Sequence, residues 1–210
     1  MADPIRTDRR SAPRHRPGPS SPPRLEVVCG CMFSGKSEEL IRRLARADIA
    51  RQRVVAVKPA IDVRYEPTAI ASHGGRRWPC VAVSASEEIR RVAAQHQPDV
   101  LGIEEAQFLD AGVVAVARDL VEEGVRVIVA GLDLDALGRP FGPMPGLVCE
   151  AEHVTKLHAV CVVCGADASR SQLLVDGEPV AWRDGPLINV GGAEAYEARC
   201  RACFEVPDRP

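Results

Sequence analysis

Along residues 25–130, short apolar runs typical of buried strands alternate with stretches in which apolar residues recur at helical spacing. Short, nearly continuous apolar runs predict five strands, at Leu25–Cys29, Arg53–Lys58, Cys80–Val83, Asp99–Glu104 and Val125–Ala130. Stretches with helical spacing separate them, at Lys36–Ala50, Ser86–Gln95 and Ala111–Glu123. Buried strands alternating with helices indicate an α/β fold, with a mostly parallel sheet flanked by helices.

The first two predicted helices carry the clearest local signals. The apolar side chains of the first helix fall on one stripe, formed by Leu40, Ile41, Leu44 and Ala47, while its arginines face away. Before the second helix, Ser84 and Glu87 have the spacing of a capping box. Ligands of such sheets collect beyond the carboxyl ends of the strands, so chemistry is expected there.

The pattern changes on both sides of this α/β region. Residues 1–23 are rich in Pro and Arg with few apolar side chains, which predicts a disordered tail. A basic arm for nucleic acid is the alternative, although the tail has no aromatic side chains to stack on bases. From about residue 154 helical periodicity ends, and short strand-like pieces at Leu173–Val175 and Leu187–Val190 predict a small second lobe. We therefore predict an α/β domain at 24–150, a lobe at 151–206 and a short tail at 207–210.

Composition narrows the class of protein. The 210 residues are 46% apolar and 27% charged, which excludes wholesale disorder, and the formal net charge is −2. Such a chain has no global attraction to a polyanion. No apolar run is long enough to span a bilayer, and the first ten residues lack the apolar stretch of a secretory signal. We expect a soluble cytoplasmic protein.

The segment Gly30–Ser37 matches the phosphate-binding pattern G-x-x-x-x-G-K-S. Its glycines allow backbone N–H groups to surround a phosphate, Lys36 adds a positive charge, and the Ser37 hydroxyl can ligate Mg²⁺. The motif follows an apolar strand and begins an amphipathic helix, which is the context it requires, so we predict a P-loop nucleotide-binding domain. Guanine readers use an N-K-x-D segment, and the nearest string, Thr155–His158, lacks both Asn and Asp, so a GTPase switch is not expected.

Two acidic residues follow the fourth predicted strand. P-loop enzymes place a carboxylate for Mg²⁺ at such a strand end, which is the position of Glu104. The adjacent carboxylate of Glu105 can accept a proton from an attacking hydroxyl. A solvated acidic turn is the alternative, and the neighbouring P-loop favours the catalytic interpretation.

Four of the eight cysteines form two C-x-x-C pairs, Cys161 with Cys164 and Cys200 with Cys203. Two such pairs provide four thiolates for tetrahedral Zn²⁺, and a four-cysteine site leaves no open position, so the metal is predicted to be structural. Reduced core cysteines or disulfides are the alternative. Residues 154–206 hold five Lys or Arg against seven Asp or Glu, which argues against a nucleic-acid ribbon.

These pieces together resemble a thymidine kinase of the zinc-containing type found in bacteria and in animal cytosol. Besides the P-loop and the cysteine pairs, the stretches that carry the resemblance are Lys58–Tyr65, Ser72–Gly74, Glu105–Phe108, Gly131–Asp133, Arg139–Gly142 and Gly191–Tyr196. They occur in family order and cover about residues 25–206. The resemblance implies ATP-dependent phosphorylation of the 5′-hydroxyl of thymidine with Mg²⁺, usually in a homotetramer, with feedback inhibition by thymidine triphosphate.

The resemblance also implies roles for individual residues. Glu105 is the implied general base. The residues implied to serve ATP, its phosphates and Mg²⁺ are Gly30, Ser34, Gly35, Lys36, Ser37, Asp62, Arg64, Glu104 and Gln107. A flexible loop at 131–146 is implied to close over the nucleoside. The residues implied to contact thymidine are Met32, Phe108, Leu132, Phe141, Ser171, Val190, Gly192 and Tyr196.

The chain departs from the family pattern at three places. Glu104 stands where the family usually has Asp, Cys29–Cys31 replaces a more usual Thr-Gly-Pro, and Ala136 stands where the loop normally offers a Phe beside the base.

The alternative function is a zinc-ribbon P-loop module that binds nucleotide as a sensor or nucleic-acid accessory without kinase activity. Glu105 discriminates, because a pure binding module has no use for a carboxylate beside the transferred phosphoryl group.

Overall fold

The computed structural model describes residues 22–61, 68–72, 74–184 and 195–210. The strands, numbered along the chain, are β1 Leu25–Gly30, β2 Val54–Pro59, β3 Ala69–Ala71, β4 Arg77–Pro79, β5 Val81–Val83, β6 Val100–Ile103, β7 Arg126–Gly131, β8 His153–Leu157, β9 Ala159–Val160, β10 Asp167–Ala168, β11 Arg170–Val175, β12 Glu178–Pro179 and β13 Tyr196–Arg199. The α-helices are α1 Lys36–Ile49, α2 Ser86–His96, α3 Val113–Glu122 and α4 Met144–Glu150. Single 3₁₀ turns lie at Ala106–Phe108 and Trp182–Asp184.

Six of the described strands form one sheet in the order β5-β2-β6-β7-β1-β8, and every neighbouring pair is parallel. This confirms the predicted α/β class. The carboxyl ends of β1, β6 and β7 therefore meet at one edge of the sheet. The segments that follow these three strands are the P-loop, the acidic pair and the loop at 131–146, so the topology brings the predicted chemistry together.

Helices cover both faces of this sheet because successive strand residues point to opposite sides. The α1 stripe of Leu40, Ile41, Leu44 and Ala47 is buried against one face, as the periodicity predicts. Helices α2, α3 and α4 bury apolar side chains on the other face, including Ile89, Val116 and Leu147. No helix within the described ranges has the length and apolar character needed to cross a membrane.

The five predicted strands and three predicted helices are present, with their ends displaced by at most two residues. The capping box before α2 is wrong, because its N-cap is Ala85 and makes no side-chain capping bond. The Ser84 N–H donates to Glu88 instead, at 2.8 Å. Asp110 stabilises the helix start by accepting bonds from the Ser86 N–H and hydroxyl.

Strand β8, helix α4 and the β3–β4 hairpin were not among the predicted elements. The sequence pattern predicts that residues from about 151 onward belong to the lobe, whereas β8 pairs with β1 as the edge strand of the main sheet. Beyond β8, strands β9 to β13 build small antiparallel ribbons around the cysteine pairs. The strand-like piece at Leu187–Val190 lies outside the described residues.

Candidate active site

The P-loop backbone requires conformations that few side chains tolerate. Gly30 has φ 145°, and a Cβ at this position would lie 2.3 Å from the Leu157 carbonyl oxygen of β8. Gly35 has φ 86° and immediately precedes α1. Phe33 also adopts a positive φ of 65°, although it is not a glycine. The two motif glycines are therefore needed for the loop to turn and to pack against the neighbouring strand.

Two side chains of the motif are held inside this loop. The Lys36 ammonium is buried and donates to the Cys31 carbonyl at 2.8 Å. The Ser34 hydroxyl donates to the same carbonyl at 2.8 Å. The loop therefore curves around the Cys31 carbonyl, which accepts hydrogen bonds from both the Ser34 hydroxyl and the Lys36 ammonium.

Ser37 and Glu104 meet where β1 and β6 end. The Ser37 hydroxyl donates to Oε1 of Glu104, whose side chain is only 4% exposed. A hydroxyl and a carboxylate in contact form a pair of hard oxygen ligands, which is the chemistry that Mg²⁺ prefers. These two residues fit the predicted magnesium site, and the longer Glu at position 104 reaches Ser37 directly.

Glu105 follows in a strained conformation, with φ 49° at the start of the 3₁₀ turn. Its carboxylate accepts a hydrogen bond from the Gln107 amide. The amide oxygen of Gln107 accepts the Leu132 N–H at 2.9 Å, and the Gln107 side chain is buried. Gln107 therefore connects Glu105 to the loop that follows β7 and fixes the carboxylate orientation.

These residues surround one cleft of roughly 530 Å³. Seven of the predicted site residues line it, namely Met32, Gly35, Lys36, Ser37, Glu104, Glu105 and Leu132. The remaining lining comes from Phe33, Glu38 and the β3–β4 hairpin. Phosphate-binding, metal-binding and proton-accepting groups thus face the same space.

The four predicted metal ligands come together in the lobe. The sulfur atoms of Cys161, Cys164, Cys200 and Cys203 all lie within 4.8 Å of one another. The distance between the Cys164 and Cys200 sulfur atoms is 3.7 Å. A tetrahedron with Zn–S bonds of about 2.3 Å has sulfur atoms about 3.8 Å apart, so the donor set fits Zn²⁺. Backbone N–H groups, first that of Cys200, lower the pKa of Cys161, whereas hydrogen bonds with the neighbouring thiols, first that of Cys200, raise the pKa of Cys203.

The lobe contacts the P-loop directly. The Cys31 thiol packs among Ala168, Ala198 and the metal-site cysteines, and it donates to the Ala168 carbonyl at 3.3 Å. The Met32 N–H donates to the Ser171 hydroxyl at 2.9 Å. Burial raises the pKa of the Cys31 thiol, so it remains a neutral donor at this contact.

The comparison with known families agrees with this geometry. A family model described as thymidine kinase matches residues 23–204, which includes the P-loop, the acidic strand end and both cysteine pairs. The chain belongs to the thymidine kinase family. The family is one of kinases, and its substrates are thymidine and ATP.

None of the other expected site residues that the structure describes lines the cleft. Phe108 and Phe141 stack edge to face with centroids 5.6 Å apart, joining the 3₁₀ turn to the loop at 131–146. Tyr196 packs in the apolar cluster that joins this loop to the lobe. Asp62, Arg64, Val190 and Gly192 lie outside the described residues.

The loop at 131–146 is anchored to the lobe by its own apolar side chains. Leu137 is fully buried against Leu173 and Val180, and Ala136 packs at the edge of the same cluster. Ala136, which replaces the usual family Phe, is not part of the cleft lining. Asp135 closes the loop by accepting the N–H groups of Leu137 and Arg139, each at 2.9 Å.

The β3–β4 hairpin is the part of the cleft that sequence reasoning missed. Ala69, Ile70, Ala71, Ser72 and Gly74 contribute to the lining. Arg76 beside the hairpin forms an ion pair with Glu38 of α1 at 2.8 Å, which holds the hairpin over the P-loop helix. The sequence contains one indication of this contact. Ser72–Gly74 resembles the family pattern, although no role was predicted for it.

Proposed function

We propose that this chain transfers the γ-phosphoryl group of ATP to the 5′-hydroxyl of thymidine. The observation that carries the proposal is that Glu105 lines the same cleft as Lys36 and Ser37. A proton acceptor therefore faces the space in which the P-loop would hold the phosphates. Membership of the thymidine kinase family supports thymidine as the acceptor.

Phosphate binding is assigned to the P-loop. Backbone N–H groups of Gly30, Ser34 and Gly35, together with the Lys36 ammonium, would surround the β- and γ-phosphates. The N-terminus of α1 adds partial positive charge at the same place. Asp62 and Arg64 are proposed to support this region, as the family resemblance implies.

Ser37 and Glu104 are the residues that would hold Mg²⁺. When bound, the ion supplies positive charge that offsets the charge on the transferred phosphoryl group. The hydrogen bond between these side chains keeps the two oxygens adjacent.

Glu105 acts as the general base in this mechanism. The 5′-oxygen of thymidine bonds to the γ-phosphorus, the bond between the γ-phosphorus and the bridging oxygen breaks, and ADP leaves. The hydroxyl proton passes to the Glu105 carboxylate. Gln107 orients that carboxylate through its amide N–H. We also propose a direct contact between Gln107 and a phosphate of ATP.

The nucleoside is proposed to lie between the P-loop and the loop at 131–146. Met32 and Leu132 line the cleft on this side. The other proposed thymidine contacts are Phe108, Phe141, Ser171, Val190, Gly192 and Tyr196. Apolar walls suit a pyrimidine ring and exclude water, which would otherwise accept the phosphoryl group.

The remaining features of the proposal concern the whole protein. Zn²⁺ on the four cysteines is structural, and the chain works as a cytoplasmic homotetramer that thymidine triphosphate inhibits. We propose a P-loop nucleotide-binding domain and a nucleoside-binding zinc lobe, with β8 assigned to the domain because it pairs with β1.

Phosphoryl transfer from ATP to a panel of thymidine, deoxyuridine and deoxycytidine tests the proposal. We expect thymidine monophosphate to form fastest, with one ADP released per product. Zinc-loaded protein that binds ATP but phosphorylates none of these nucleosides would contradict the proposal. That result would favour the alternative of a nucleotide-binding module without kinase activity.

A further inference from the structure

A concave basic surface lies at the end of the sheet opposite the P-loop. It forms an open depression of roughly 330 Å³, and the arginines that line it are Arg24, Arg42, Arg43, Arg46 and Arg126. Glu26, at the start of β1, lies among them, whereas Gly30 ends the same strand. Four residues of extended chain span about 13 Å, so this cavity is separate from the phosphate-transfer cleft. We call it the arginine pocket.

The carboxylate of Glu26 positions three of the arginines that line the pocket. Its carboxylate is buried and accepts the Nε–H groups of Arg24 and Arg126 on one oxygen, each at 2.7 Å. Its other oxygen accepts a bond from Arg43 at 2.8 Å. Three guanidinium groups are therefore fixed in place before any ligand arrives, which removes much of the entropy cost of binding.

The pocket keeps donors that the described residues do not use. Arg24 and Arg126 each donate only through Nε, so their terminal amino groups make no hydrogen bond among the described residues. The Arg46 side chain is exposed and makes no ion pair or hydrogen bond within the same ranges. Planar forks of this kind match the oxygens of a phosphate group.

The charge balance also favours an anion. Five guanidinium groups but only one carboxylate, that of Glu26, line the pocket, and the nearby carboxylates of Glu39 and Glu152 have other partners. Glu39 is occupied by Arg42 and Arg43, and Glu152 accepts the Leu25 N–H at 2.6 Å.

We propose that the arginine pocket binds a small anion with several phosphate groups, at a site separate from the P-loop. Its volume lies at the lower end of the range for ligand pockets, which suits a short phosphate chain rather than a whole protein segment. Free polyphosphate and the phosphate chain of a nucleotide share this chemistry.

Calorimetric titration of the full chain with inorganic tripolyphosphate tests the proposal. Arg46→Glu is the test variant because its exposed side chain supports no contact in the described fold. We expect it to weaken binding at this site at least about tenfold, while Arg46→Lys retains most of the affinity. Arg91→Glu is the matched control, since Arg91 is an exposed arginine outside the pocket.

The P-loop contribution is separated with Lys36→Ala, which leaves the arginine pocket intact. Tripolyphosphate binding that persists in Lys36→Ala and is lost when Arg46→Glu is added supports the site. If Lys36→Ala binds ATP and tripolyphosphate with equal affinity, the arginine pocket recognises phosphate groups alone. If this variant binds ATP more tightly, the pocket recognises a nucleotide.

Three results would overturn the proposal. One is that Arg46→Glu and the unmodified protein bind tripolyphosphate identically. Another is that all binding disappears in Lys36→Ala, which places it in the P-loop. The third is that Arg46→Glu changes only the oligomeric state or the affinity for a single-stranded oligonucleotide, which identifies the pocket as a macromolecular contact.

Discussion

The backbone N–H of Met32 in the P-loop donates a hydrogen bond to the Ser171 hydroxyl of the zinc lobe at 2.9 Å. These residues are 139 positions apart in the sequence. The loop that would hold ATP is therefore supported by the lobe that carries the cysteines. Ser171, expected from the family resemblance to contact thymidine, also has a structural partner in the phosphate-binding loop.

Replacing Ser171 with Ala should impair both substrates. The change leaves the partly buried Met32 N–H without its partner, and loss of such a hydrogen bond costs about 1 kcal/mol. We expect the KM for ATP and the KM for thymidine each to rise at least about fivefold. Steady-state kinetics with each substrate varied in turn measure this. Ser169→Ala is the control, because among the described residues the Ser169 hydroxyl forms a hydrogen bond with Arg170 and none with the P-loop. An unchanged KM for ATP would show that Ser171 does not support the P-loop.

Replacing Cys164 with Ser should remove the metal and destabilise the lobe. Structural Zn²⁺ binding and local folding are one equilibrium, so loss of one thiolate affects both. Elemental analysis is expected to give one zinc per chain in the unmodified protein and close to none in Cys164→Ser. Because Cys31 packs against the lobe, ATP affinity should also decrease.

Cys149→Ser provides the comparison for this experiment, since Cys149 is exposed and lies outside the cysteine cluster. Its zinc content and ATP affinity should remain those of the unmodified protein. Purified protein without zinc that nonetheless phosphorylates thymidine at full rate would contradict a structural metal.

Glu26 should make the stability of the fold sensitive to acid. Burial raises the pKa of this carboxyl, but hydrogen bonds from Arg126 and Arg24 outweigh burial and lower the pKa to about 2. A lowered folded-state pKa stabilises the protein above the unfolded pKa of 4.5 and loses that contribution as the pH falls toward 2. The shift corresponds to roughly 3 kcal/mol.

Chemical denaturation between pH 7 and pH 2 tests this expectation. In Glu26→Gln the free energy of unfolding should be lower at pH 7 and should decrease less between about pH 5 and pH 2. Glu178→Gln, an exposed carboxylate on β12, should retain the full decrease. Parallel curves for Glu26→Gln and the unmodified protein would contradict the assigned role.

Local periodicity was sufficient to predict most of the central sheet. The α1 stripe and the apolar runs of β1, β2, β6 and β7 are buried as expected. Each of these patterns lies within a single helix or strand, so the local sequence is enough to reveal it. Strand β8 could not be predicted in this way, since it is a partly exposed edge strand without an apolar run. Strands β3 (Ala-Ile-Ala) and β4 (Arg-Trp-Pro) have three residues each and lack the valines that mark the equally short β5.

The candidate site shows the same division. The P-loop motif and the cysteine spacing predict their own contacts because each motif encodes a local geometry. The bond between Ser171 and Met32 joins distant segments, and no local pattern encodes it. The same holds for Gln107, whose partners Glu105 and Leu132 follow different strands.

The proposed mechanism depends on Glu105 as the general base. Glu105→Gln keeps the shape of the side chain but removes the proton acceptor. The initial rate of thymidine monophosphate formation, at saturating ATP and thymidine, should fall about 10²–10⁴-fold. The affinity for ATP should change little, because Lys36 and the P-loop backbone hold the phosphates. Glu122→Gln, an exposed carboxylate on α3, controls for the loss of one negative charge.

The turnover ratio between the unmodified protein and Glu105→Gln therefore tests this role of Glu105. If Glu105 is the general base, turnover falls at least about a hundredfold while ATP binding is preserved and Glu122→Gln is fully active. Turnover of Glu105→Gln within a few-fold of the unmodified protein would contradict it.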